Sequence, residues 1–86
     1  MRFDKNGLHG SYDPKFDILY IYYKGRSYSY GKELSDGFVV FKEIEGDKLS
    51  GYLIYDFKDK MSKGLIDISK FDLVFKVTIQ ELINEI

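Results

Sequence analysis

Apolar positions along this 86-residue chain fall into short runs separated by turn chemistry. Asn6-Gly7, Asp13-Pro14, Lys24-Gly25-Arg26, Ser35-Asp36-Gly37 and Glu45-Gly46-Asp47 divide segments rich in Tyr, Ile, Val and Phe. Runs of this length between such turn signals read as β-strands. The pattern predicts strands over 8–12, 18–23, 27–34, 38–44 and 48–57. Connections this brief join antiparallel neighbours, because a parallel crossover needs a dozen or more residues. The expectation is an antiparallel β-meander of about five strands. Ser35-Asp36-Gly37 is its sharpest hairpin signal, since glycine after aspartate accepts the positive φ that a tight turn or its bulge requires. Gly51 interrupts the last strand, and the apolar parity changes across it from Leu49 to Tyr52 and Ile54. A β-bulge produces that change.

Beyond Asp56 the pattern loosens. Residues 58–64 are charged, with Met61 their only large apolar side chain, and read as a linker. Residues 71–77 read as a further extended stretch. Thr78-Ile79-Gln80-Glu81 then has the form of a capping box, with Thr78 as cap and Glu81 reaching back to it. Ile79, Leu82, Ile83 and Ile86 fall on one side of the short helix this predicts. A helix of about nine residues is marginal alone in water and must dock on something. The fold class expected is therefore α+β, one domain over 1–86: a meander over 8–57, a linker over 58–64, and over 65–86 an extended segment plus a helix packed on the sheet.

Within the second predicted strand, Leu19, Ile21 and Tyr23 share one face while Tyr20 and Tyr22 share the other. Tyr28 and Tyr30 share a face of the next predicted strand, where they are expected opposite Tyr20 or Tyr22 as cross-strand aromatic pairs. Tyr20, Tyr22, Tyr28 and Tyr30 form the candidate interface, covered either by the chain's own C-terminal segment or by another chain.

Composition narrows the classes. At 44 % hydrophobic and 31 % charged residues the chain lies within the range of folded globular proteins. Its size limits it to a thin core. Without cysteine it can form no disulfide or thiolate metal site. Thirteen basic against fourteen acidic residues provide no basic block, so nucleic acid is not an expected partner, although Lys24, Arg26 and Lys32 interleave with aromatics. The longest apolar run is too short to span a bilayer and Met1-Arg2-Phe3-Asp4 lacks a signal-peptide core, so no membrane is expected and the expected location is the cytoplasm.

Asp13, Asp17, Asp36 and Asp56 occupy turn positions that a sheet can gather at one end, where oxygen ligands suit magnesium or calcium. Aspartate beside proline or glycine also shapes turns by accepting backbone hydrogen bonds, which is the stronger reading, and no metal is expected. His9, the only histidine, shares a strand face with Ser11, but nothing in the sequence supplies a triad. Gly7, Gly10, Gly25, Gly31 and Gly37 make no phosphate loop or dinucleotide fingerprint, so no cofactor is expected.

Tyr12-Asp13-Pro14, Asp17, Leu19-Tyr20-Ile21, Glu33-Leu34, Asp36-Gly37-Phe38-Val39-Val40 and Gly51-Tyr52-Leu53-Ile54-Tyr55-Asp56 together resemble the small prokaryotic family catalogued as domain of unknown function 2283, over roughly residues 8–60. The resemblance implies a compact sheet-rich domain with no established activity, carried beside genes for small toxin-like proteins. It provides no catalytic residue. The function expected is a non-enzymatic protein-interaction module, either self-associating as a homodimer or an antitoxin-like partner of a small protein. The opposing class is a divalent-metal or small-ligand binding domain or enzyme with its site at the aspartate-rich strand ends.

Overall fold

The computed structural model describes residues 1–25 and 28–86. Strands β1 (Arg2–Lys5), β2 (Leu8–Asp13), β3 (Ile18–Tyr23), β4 (Ser29–Ser35), β5 (Phe38–Glu43) and β6 (Leu49–Tyr55) form one antiparallel sheet in the order β1-β2-β3-β6-β5-β4. With its C-terminal helix this is an α+β fold. The strands number six rather than about five, and they do not run as one meander. β1–β3 and β4–β6 are two meanders joined by β3 against β6, so the last four strands have the spatial order of a Greek key. Arg26 and Ser27, which end one expected turn and begin one expected strand, lie outside the described residues.

β1 was not expected, because Phe3 is its only large apolar residue. Its hairpin is nevertheless encoded locally. Asn6 and Gly7 adopt φ of 57° and 76°, the pair of left-handed conformations that a two-residue turn matched to strand twist requires. The expected bulge is present: Phe41 pairs with Gly51 and Lys42 with Leu49, leaving Ser50 as the extra residue in β6. A register shift also accompanies the Asp36-Gly37 hairpin, between Glu33 and Ser35 on β4.

The segment expected as a linker is a helix, α1 (Phe57–Ser62), anchored by fully buried Phe57 with Met61 packed on the core. Its cap comes from far away in sequence. The Asp17 carboxylate accepts the N–H groups of Lys58 at 2.9 Å and Asp59 at 3.2 Å, satisfying donors at the helix N-terminus. Asp56 itself is left-handed, φ 54°, and caps nothing with its side chain.

Residues expected as an extended stretch belong to the second helix, α2 (Leu73–Glu85), preceded by a single 3-10 turn over Ile68–Lys70. Phe71, Leu73, Phe75 and Val77 alternate as they would on extended backbone, yet Leu73 is 73 % exposed. The operative spacing is Phe75, Ile79, Leu82 and Ile86, with period near 3.6. Phe75, Ile79 and Leu82 are buried and Ile86 packs against the core, whereas Ile83 faces outward. Thr78 is no cap. It is buried within α2, where its hydroxyl donates to the Val74 carbonyl at 2.7 Å and accepts from Asn6 Nδ2 at 2.9 Å. Glu81 reaches Lys5 instead, at 3.6 Å, beside Glu85 at 3.0 Å. Thus α2 is tied to the β1–β2 hairpin.

The core lies between α2 and one face of the sheet: Leu8, Leu19, Ile21, Ile54, Phe57, Phe75 and Ile79 have no exposed surface. Phe75 meets Tyr23 and Tyr52 edge-on, at ring separations of 4.8 and 5.1 Å, and Phe71 stacks on Tyr52 at 4.5 Å. Burial, with the negative charge of Asp72 and the Tyr23 phenol nearby, pushes the Tyr52 hydroxyl up to about 12. No helix among the described residues is long and apolar enough to cross a membrane.

Candidate functional site

Because α2 covers the Leu19–Ile21–Tyr23 face, the tail does not cover Tyr20 and Tyr22, which remain 36 % and 38 % exposed. Cross-strand pairing arranges the uncovered face in two rows. One runs Arg2, Ser11, Tyr20, Leu53, Val39, Glu33; the other runs Asp4, His9, Tyr22, Gly51, Phe41, Gly31. The centre is aromatic and aliphatic, and charge sits at the rims.

Gly51 makes the centre possible. A Cβ there would lie 2.7 Å from the Tyr22 Cα and 2.6 Å from its Cβ, so β6 approaches β3 as only glycine allows. Without a side chain in that place, the rings of Tyr20 and Phe41 come together from strands two apart in the sheet and stack at 5.7 Å, 18° from parallel. Tyr20 and Tyr22 meet edge-to-face at 4.9 Å, and Tyr22 lies 5.7 Å from the His9 ring. These contacts hold the rings in place while leaving part of each in solvent. Burial and the adjacent Tyr22 phenol raise the Tyr20 pKa.

Toward β1 the face dips into an open depression of about 580 Å³ lined by Arg2, Asp4, His9, Ser11, Tyr20 and Tyr22. Asp4 is ion-paired with Lys24 and lies 3.5 Å from His9 Nδ1. The hydrogen bond from Lys24, opposed by partial burial, holds the Asp4 carboxyl below its ordinary range. His9 and Ser11 share this face as expected, but no hydrogen bond joins them. The carboxylate, imidazole and hydroxyl therefore do not form a relay.

Of the four tyrosines expected together, the fold unites two. Between β3 and β4 stand β6 and β5, so Tyr28 and Tyr30 do not oppose Tyr20 or Tyr22. Tyr30 pairs with Lys42 on the opposite side of the sheet and donates its hydroxyl to Asp47 at 2.6 Å. Tyr28 precedes β4 and is 87 % exposed. Phe41, Leu53, Val39, Arg2 and Glu33 were missed. The consecutive apolar run Phe38-Val39-Val40-Phe41 was the available signal, because a strand apolar at every position presents both of its faces to apolar surroundings.

The strand pairing does bring the turns of Asp13, Asp17, Asp36 and Asp56 to one end of the sheet. Two of the carboxylates already serve there. Asp13 accepts the N–H groups of Lys15 and Phe16, at 2.9 and 3.2 Å. Asp17 caps α1 and accepts the Tyr12 hydroxyl at 2.7 Å. Partial burial would raise the Asp17 pKa, but donors from Lys58, Tyr12 and Asp59 outweigh it and lower the value. Burial and that same hydrogen bond push the Tyr12 hydroxyl up to about 12. Among the described residues no three His, Asp or Glu side chains gather as a metal site. No family model, no curated protein and no solved structure matches this chain.

Proposed function

We propose that the protein is a non-enzymatic interaction module that docks a polypeptide on the open face of its sheet. One observation carries this reading: Tyr20, Tyr22, Phe41 and Leu53 form a continuous partly exposed apolar surface at the sheet centre while α2 is engaged on the other side. Fixed aromatic rings bury a large area at low entropic cost, and phenolic hydroxyls supply directional bonds to a partner backbone. Against an enzyme stands the dispersal of the titratable groups: Asp4 is engaged with Lys24, Asp17 caps a helix, and His9 and Ser11 are not linked. The resemblance to domain of unknown function 2283 supports the same class, with an antitoxin-like role toward a small protein as its narrower form.

The test places benzoylphenylalanine at position 20, and separately at Gln80 on the exposed side of α2, in cells that naturally make the chain. Irradiation should form a polypeptide adduct from position 20 and none from position 80. Absence of an adduct from position 20 would overturn the reading.

A further inference from the structure

One row of the open face has a charge pattern that answers itself. It begins on one edge strand with Arg2, passes through Ser11, Tyr20, Leu53 and Val39, and ends on the other edge strand with Glu33. Neither Arg2 nor Glu33 forms an ion pair among the described residues, whereas Asp4, the other rim charge, is already held by Lys24. Glu33 only accepts the Gly37 N–H, at 3.1 Å. Rotating a second copy by 180° about an axis parallel to the strands reverses the strand order and preserves the level of each row. Arg2 of each copy then faces Glu33 of the other, and between them Tyr20 faces Leu53, Tyr22 faces Gly51 and Phe41 faces His9 of the other copy. We infer that the open face is the seat of a second copy of this chain, packed sheet to sheet about that two-fold axis with two reciprocal Arg2–Glu33 pairs.

Sheets packed face to face lie about 10 Å apart, a gap that an arginine and a glutamate reaching from opposite sides span together. Isologous contacts of this kind are the commonest way a protein self-associates. The edges are poorer seats. β4 is interrupted by its register shift at Glu33 and Ser35 and carries Lys32, and β1 consists of charged residues around Phe3, features that block strand addition. Six strands about 4.8 Å apart and roughly 20 Å long offer about 500 Å² in projection. That is below the roughly 800 Å² per partner of a standard interface, so the dissociation constant belongs in the micromolar range or weaker.

The inference rests on the open face being a protein interface, and charge reversal tests it separately. Sedimentation of the intact chain from about 10 μM to 1 mM should show reversible dimerisation. Arg2→Glu places like charges at both contacts, as does Glu33→Arg, and each should weaken the dimer by about tenfold or more. An equimolar mixture of the two single variants regains opposite charges at both contacts and should dimerise again, as should the double variant R2E/E33R. Unchanged melting of each variant at low concentration confirms that the fold is intact. A chain monomeric to 1 mM, a dimer indifferent to the reversals, or a mixture that fails to recover would each overturn the two-fold arrangement. If position 20 still crosslinks to a different polypeptide in those cases, the open-face reading survives; if it crosslinks to none, that reading falls with the two-fold arrangement.

Discussion

Leu19 and Ile21 are fully buried while Tyr20 and Tyr22, their neighbours on β3, keep more than a third of their surface in water. Alternate residues of one strand thus meet opposite conditions because only one face of the sheet receives a helix. The covered face is closed by large side chains arriving from elsewhere in the chain: Phe75, Ile79, Leu82 and Phe71. The open face has no such layer, and its rings are supported laterally by each other. Lateral contact restrains a side chain, but it removes less area from water than a second layer does. The two faces should therefore differ in what they contribute to stability, and that difference can be broken or sharpened by substitution.

The largest effect is expected on the covered face. Phe75→Ala removes a ring with no exposed surface that touches both Tyr23 and Tyr52, and should cost about 3–5 kcal/mol in denaturant unfolding. A loss below about 1 kcal/mol would mean that α2 is not integral to the core. Gly51→Ala comes next. The added methyl meets the backbone of β3, which cannot swing away as a side-chain end can, and about 1–3 kcal/mol should be lost. Tolerance of alanine there would show that β3 and β6 separate easily.

Tyr20→Ala should cost less, about 0.5–1.5 kcal/mol when measured at low micromolar concentration, because it deletes two lateral ring contacts from a side chain that already keeps 36 % of its surface in water. A loss equal to that of Phe75→Ala would dissolve the distinction between the faces. The smallest effect concerns Asp17. Its carboxyl is lowered from an ordinary value of 3.8 in the fold, so its contribution is complete above that value and disappears as pH falls through the lower folded value. Between pH 6 and 3 the melting temperature should fall more steeply in the parent chain than in Asp17→Asn. Identical slopes would remove Asp17 as an acid-sensitive link between the β2–β3 turn and α1.

Much of the sheet was legible because its signals are local. Turn residues with left-handed φ stand at Asn6-Gly7 and Gly37, and the parity change at Gly51 marked the bulge that the pairing contains. β1 escaped because four residues with one aromatic have no visible period, although the Asn-Gly turn beside them required a partner strand. The helices failed for different reasons. α1 is charged, and both its anchor, Phe57, and its cap, Asp17, act through tertiary contacts. α2 contains two apolar periods, and the shorter one was misleading until burial selected Phe75 over Leu73.

The candidate face divides in the same way. That Tyr20 and Tyr22 oppose Leu19 and Ile21 follows from strand alternation alone, since successive side chains point to opposite faces. Which tyrosines belong together does not. Placing β6 and β5 between β3 and β4 separated Tyr30 from Tyr20 and gave Tyr20 Phe41 as its stacking partner. The row from Arg2 to Glu33 likewise exists only in the folded sheet, because its members come from six strands and share no local pattern. Sequence determined the pleat, the turns and the alternation, each a matter of a few adjacent dihedral angles. Tertiary structure decided which face α2 would cover and which residues would meet across strands, because those outcomes depend on burying the most apolar area over the whole chain at once.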